Sequence, residues 1–158
     1  MLTISQRLQE PRPADARLVL PFELRSRSRF RAQLVGGEEV GVILARGRIL
    51  RGGDLLLAAD GRVIEVGAAE ETVSTVHSAE PRSLARAAYH LGNRHVALQI
   101  GAGWLRYSHD HVLDEMLRGL GLSVMVEQAP FEPEAGAYHA DGDGGHGHSH
   151  GHHPSHSH

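Results

Sequence analysis

Histidine is where chemistry is concentrated in this chain, which carries 13 His and no Cys among its 158 residues. Two imidazoles, His109 and His111, flank Asp110 in the run Tyr107-Ser108-His109-Asp110-His111-Val112-Leu113. Seven more, His146, His148, His150, His152, His153, His156 and His158, crowd the last 13 residues, with His139 just upstream. Imidazole nitrogen suits nickel, zinc, copper and cobalt, whereas magnesium and calcium prefer oxygen. Without cysteine there is no thiolate site, disulfide or cysteine nucleophile. The pattern points to binding of a divalent transition metal.

The two groups of histidines differ in what they can do. Gly and Ser separate most of the tail histidines, unlike an uninterrupted purification tag, and the tail has no apolar side chains to offset its ordering entropy. Its composition predicts a disordered segment that collects ions with high capacity and little selectivity. His109 and His111 instead stand where a helix is expected to begin, so a fold can hold them. At i and i+2 across such a junction they need not point the same way. Firm binding takes about four ligands, which a two-fold dimer and the tail could supply together. His77, His90 and His95 sit in or beside regular elements and read as structural or simply exposed.

An enzyme would require a different arrangement. A catalytic metal centre wants about three fixed ligands, an open position and a general base, as in H-E-x-x-H. Here H-D-H is followed by V-L-D, and no nucleophile elbow, phosphate loop or dinucleotide fingerprint occurs. The reading is a protein that binds metal without catalysis.

The elements that must position these residues follow from periodicity. Short β-rich runs separated by Gly-containing turns predict an all-β domain over residues 1–70, with strands at 17–20, 30–35, 40–45, 54–58 and 62–66. Arg25, Arg27, Arg29 and Arg31 recur at every second position and would share one face of an extended segment. Such a row is either a solvated edge that resists aggregation or a docking surface for an acidic partner.

Residues 71–137 change pattern. A strand at 71–78 is followed by a helix opening at Pro81, with Leu84, Ala85, Ala88 and Leu91 as its stripe and Gly92-Asn93 as its cap. Alternation predicts a strand at 96–100 and another at 104–107. A second helix takes Ser108 or Asp110 as N-cap and buries Leu113, Met116, Leu117 and Leu120. A last strand is expected at 122–127, and the Pro- and Gly-rich segment after Ala129 reads as a linker. The order βαββαβ defines a ferredoxin-like domain. The fold class is therefore α+β: an N-terminal all-β domain, a ferredoxin-like βαββαβ domain, and a disordered His-rich tail over 138–158.

At 41% the hydrophobic content is enough for cores, and at 4% the aromatic content means they are built from aliphatic side chains. No apolar run approaches a membrane span or a signal-peptide core, which predicts a cytoplasmic protein with no membrane partner. The net charge is −3, so the chain as a whole is not basic and no nucleic-acid partner is expected.

Four stretches carry a resemblance: AADGRVIEV (58–66), AAYHLGNRH (87–95), LRYSHDHVLDEMLRGLGL (105–122) and PFEPEAGAY (130–138), followed by the His-rich tail. With them the chain resembles the urease accessory metallochaperone family UreE. The resemblance implies a homodimer whose N-terminal domain binds partners and whose ferredoxin-like domain dimerises. It implies His111 as a metal ligand at the dimer interface and the tail histidines as supplementary ligands; for His109 it supports the place in the motif and not a ligand role, so His109 and His139 stand as candidate ligands on their residue type. It further implies Ni(II) as cargo, with Zn(II), Cu(II) or Co(II) able to occupy the same sites, and a UreG-type GTPase and the accessory and apo-urease complex as partners. A general nickel or zinc buffer is the competing function.

Overall fold

A computed structural model describes residues 1–136. The first part of the chain forms β1 (Leu2–Leu8), β2 (Ala16–Leu20), the single-turn helix α1 (Phe22–Arg25), β3 (Arg29–Gln33), β4 (Glu39–Ile43), β5 (Leu55–Ala58) and β6 (Val63–Ala68). The six strands make one sheet in the order β2-β6-β5-β1-β4-β3. The β1–β4 and β2–β6 pairs are parallel, and the other neighbours antiparallel. Val35 N donates to Arg17 O at 2.8 Å, which brings the ends of the two edge strands together and curls the sheet. Its concave side encloses Ile4, Leu18, Val40, Leu50, Leu56 and Ile64, all fully buried. Gly36 and Gly37 close the β3–β4 hairpin at φ of 109° and 102°, values that exclude a side chain without strain.

Strand β1 lies between β4 and β5, in the middle of this sheet, yet the alternation in Leu2–Leu8 does not announce it. Its register against β5 slips between Ile4 and Gln6, and such a bulge breaks the period of two by which a strand is read.

The expected arginine row is not a row. Arg25 and Arg27 belong to α1 and the turn after it, and only Arg29 and Arg31 share the exposed face of β3. Arg25 is fully buried. Its guanidinium donates to Leu20 O at 3.0 Å, Leu50 O at 3.2 Å, Glu132 Oε1 at 3.1 Å and Phe131 O. Burial lowers its pKa, and the nearby Glu132 and Glu71 oppose that shift.

The second sheet arises from β7 (Glu70–His77), α2 (Pro81–Asn93), β8 (Gln99–Gly101), β9 (Trp104–Ser108), α3 (His111–Gly119) and β10 (Met125–Pro130). Its four strands run in the order β10-β7-β9-β8, every neighbouring pair antiparallel. Val76, Leu105 and Tyr107 point to one face and pack under Ala87 and Leu91 of α2 and Leu113 and Leu117 of α3. On the opposite face Val73, Ala129 and Phe131 form a smaller cluster, joined by Phe22 from α1.

Several local expectations shift, and the strand boundaries share one reason: both helices end by turning their next residues back onto themselves. Leu122 N donates to Leu117 O at 3.1 Å and Gly121 N to Arg118 O at 2.9 Å, a Schellman closure. Leu122 and Val124 therefore pack on the helix core from irregular backbone, and the last strand starts at Met125 rather than at 122. Val126, within that strand, is 47% exposed. After α2, Val96 N donates to Leu91 O at 3.3 Å and His95 N to Gly92 O at 3.0 Å. Val96 and Leu98 then pack on the core without pairing, which shortens the expected strand to Gln99–Gly101. The left-handed position of this closure is His95, at φ 57°, and not Gly92 or Asn93. Ala85, placed on the buried stripe, is exposed, and Ala87 takes its place.

The segment after Ala129 is packed rather than free. Phe131 is 2% exposed and meets Phe22 edge-on, with ring centroids 5.5 Å apart. Glu132 N donates to Gln99 Oε1 at 3.0 Å, and Glu134 N to Leu98 O at 2.8 Å. The expected disordered tail over 138–158 lies outside the described residues.

Candidate metal centre

His109 and His111 stand at the junction of β9 and α3. Asp110 is the N-cap of α3: its Oδ1 accepts from Val112 N at 2.8 Å and from Leu113 N at 3.2 Å. A short side chain that accepts these otherwise unpaired donors starts a helix at the next residue. His111 is therefore the first residue of the helix, and it is exposed, as is its neighbour Val112.

His109 precedes the cap and is held differently. Its backbone N–H donates to Thr72 O at 3.1 Å, tying it to β7. Its Nδ1 stands 3.1 Å from Asp114 Oδ2 and 3.1 Å from Ser74 Oγ, while the side chain stays 36% exposed. Asp114 is 2% exposed, and its Oδ1 accepts from Tyr107 Oη at 2.5 Å. Burial, then the hydrogen bond to Asp114, raises the pKa of the Tyr107 phenol and keeps it a donor. His109 thus rests on a buried polar network drawn from β7, β9 and α3, whereas His111 stands free of it.

Sequence reasoning placed neither Ser74, Tyr107 nor Asp114 in this site. A signal existed for Asp114: a carboxylate between Leu113 and Leu117 falls on the apolar stripe of α3, where an acidic side chain requires buried partners.

The other histidines are dispersed. His77 is exposed at the end of β7, and His90 packs edge-on against Tyr89 at 5.3 Å. His95 is exposed and lines a groove of about 900 Å³ with Val96, Leu98, Ile100, Arg46 and Arg48. It is the one non-glycine residue at positive φ among the described residues. Such a conformation is uncommon for a side-chain-bearing residue and marks it for scrutiny. Among the described residues no three His, Asp or Glu converge to hold a metal ion. His139 and the tail histidines His146, His148, His150, His152, His153, His156 and His158 lie outside the described residues. Among the described residues no helix is long and apolar enough to cross a membrane.

Residues 3–69 match the UreE urease accessory protein, N-terminal domain, and residues 71–158 match its C-terminal domain. The chain belongs to the UreE family. A urease accessory protein UreE from Alkalilimnicola ehrlichii is 66% identical over 138 residues, covering 87% of this chain and 85% of the relative. One from Pseudomonas putida is 58% identical over 141 residues, covering 87% and 84%, and one from an Enterobacter species 56% over 142 residues, covering 89% and 93%. Within this UreE chain, the junction that carries His109 and His111 falls inside the C-terminal family domain, and α1 with its buried Arg25 falls inside the N-terminal one.

Proposed function

We propose that this chain is a non-enzymatic metallochaperone that takes part in urease maturation by carrying Ni(II) to the apo-urease complex. The observation that carries this reading is the pair of exposed imidazoles at the head of α3 in a chain of the UreE family. Two imidazoles are fewer than the roughly four ligands of a closed structural site. An open, shared site is what a carrier needs, because an ion with incomplete ligation can be handed on. In this reading His111 meets its own copy across the axis of a homodimer. His109 adds a donor, and the tail, from His139 through His158, gathers ions and completes the ligand set.

The chain divides for this purpose into a partner-binding unit over 1–70, a metal-binding and dimerising unit over 71–137, and a tail over 138–158. The βαββαβ order with strands arranged β10-β7-β9-β8 supports a ferredoxin-like assignment for the second unit. Partners are a UreG-type GTPase and the urease accessory complex, in the cytoplasm. Zn(II), Cu(II) and Co(II) fit the same donors, and copper outcompetes nickel at imidazole in a test tube, so selectivity rests on availability and on partners.

The test is calorimetric titration of the full chain with Ni(II), alongside urease activation. His111→Ala should remove the tightest site and lower activation, and no change in either would refute this assignment of roles. Deleting residues 139–158 separates delivery from buffering: a buffer loses its function with its capacity, whereas a chaperone still delivers at adequate nickel.

A second reading of the interface ligand is favoured by one observation, the left-handed backbone of the exposed His95. Glycine is the residue that such a helix terminus ordinarily selects, so an imidazole kept there suggests a role for the ring. In that reading His95 is the ligand that pairs across the dimer, and His95→Ala, not His111→Ala, removes the tightest site.

A further inference from the structure

We propose that Asp114, anchored by Tyr107, fixes His109 in the tautomer whose Nε2 carries an outward-facing lone pair, making His109 a prearranged donor for a borderline divalent metal ion. This rests on the nickel-carrier reading and identifies positioning residues for it.

The donor and acceptor roles in the network leave His109 one choice. Both oxygens of the buried Asp114 carboxylate are engaged, Oδ1 by Tyr107 Oη at 2.5 Å and Oδ2 by His109 Nδ1 at 3.1 Å. A carboxylate only accepts, so the phenol donates and the facing nitrogen bears the proton. In a neutral imidazole the remaining nitrogen, Nε2, is then bare. Ser74 Oγ, fully buried in β7, stands on the same side at 3.1 Å from Nδ1 and lies beside Tyr107.

Geometry is fixed as well as protonation. The Thr72 O bond holds the His109 backbone, Asp114 N donates to Asp110 O at 2.9 Å within the first turn, and Tyr107 is fully buried between strand and helix. A histidine whose Nδ1–H is held by a carboxylate, with Nε2 exposed, is how proteins commonly orient an imidazole for a metal. The buried cluster is otherwise hard to account for. Apolar side chains of similar size would pack this core at least as stably, because burying a charged group costs desolvation that its partners only partly return.

The experiment uses the full chain labelled with ¹⁵N-histidine, its ring nitrogens read by long-range ¹H–¹⁵N correlation. His109→Gln assigns the His109 signals by their loss. The metal-free protein should show His109 protonated at Nδ1, and its signals should broaden at substoichiometric Ni(II). Asp114→Asn should abolish the tautomer preference and weaken the nickel response at His109 by roughly 10- to 100-fold, the usual effect of removing such a support. Tyr107→Phe removes the anchor on Asp114 Oδ1 but leaves Oδ2 facing Nδ1, so it should keep the tautomer while weakening the nickel response at His109, a test that holds even if Asp114→Asn does not fold. A wild-type His109 protonated at Nε2, or tight nickel binding that leaves His109 unmoved, overturns the proposal. If Ni(II) binds tightly nowhere in the full chain, the carrier reading itself falls and takes this inference with it.

Discussion

Arg25 Nη1 stands 3.1 Å from Glu132 Oε1, joining positions 107 residues apart. The same guanidinium donates to Phe131 O, and Glu132 Oε1 also accepts from Gly52 N at 3.1 Å. Through this one side chain the crossover between β2 and β3 of the first sheet is tied to the segment that leaves β10 of the second. Nearby, Phe22 N donates to Glu71 Oε2 at 2.9 Å, a second tie between the same two parts. The root of the His-rich tail is thus anchored to the six-stranded sheet as well as to its own.

Replacing Arg25 with Met should therefore be costly. Three backbone carbonyls, of Leu20, Leu50 and Phe131, lose their guanidinium donor. Glu132, 31% exposed, can return to water, but leaving buried carbonyls without a partner costs about 1–3 kcal/mol. Urea unfolding should show a loss in that range. Arg25→Lys should recover only part of it, since an ammonium cannot reproduce the planar fork. Amide exchange at Glu132 and Glu134 should accelerate in both variants, and unchanged protection there would show that the tie is not held by Arg25.

His95 supports the opposite kind of prediction. At φ 57° a side chain strains the backbone by roughly 1 kcal/mol, and glycine does not incur that strain. His95→Gly should raise stability by up to about 1 kcal/mol in urea unfolding. Stability gained together with weaker nickel binding would mean that the imidazole is kept for its ring. Stability gained with nickel binding intact would return the site to His111 and His109.

What was legible in the chain follows from which signals are local. Gly-containing turns and alternation marked β2 to β7 closely, and the Asp110 cap was one of two candidates for the start of α3. Strand β1 escaped because its bulge breaks alternation, and α1 because a single turn has no period. Arg25 was misplaced because a spacing of two residues looks the same on paper whether the chain extends or turns. The strand boundaries near Val96 and Leu122 moved because apolar side chains can be buried from a helix-closing turn as well as from a strand. The network of Ser74, Tyr107, His109 and Asp114 joins β7, β9 and α3, and no pattern within a short window encodes such a meeting.

The exposed cluster around Arg62 gives a pH dependence with a definite sign. Arg62 grips Glu38 with two bonds of 2.7 Å each and Asp60 Oδ2 with one of 2.8 Å. The side-chain bonds from Arg62 lower the Glu38 pKa, and the backbone and side-chain bonds from Arg62 lower that of Asp60. A carboxyl lowered by folding contributes stability above its unfolded pKa, and that contribution is lost as pH falls through the folded value. The urea midpoint of the wild type should therefore decline as pH drops below about 4. Arg62→Gln should start from a lower midpoint at neutral pH and decline less, and an identical slope in both proteins would remove Arg62 as the cause.

Asp110 links stability to the proposed site most directly. Its Oδ1 satisfies the backbone donors of Val112 and Leu113, and His111 is the first residue of the helix that this cap begins. Asp110→Ala should cost about 1 kcal/mol, and Asp110→Ser, which restores an acceptor, should recover most of it. Without the cap the first turn of α3 frays, and His111 loses its defined position before the core around Leu113 and Leu117 is affected. Nickel affinity should therefore fall in Asp110→Ala and return in Asp110→Ser, read by titration under conditions where both variants are fully folded. Equal affinity in all three proteins would mean that a fixed His111 contributes nothing to binding, leaving His95 and the network-held His109 as the folded ligands to examine.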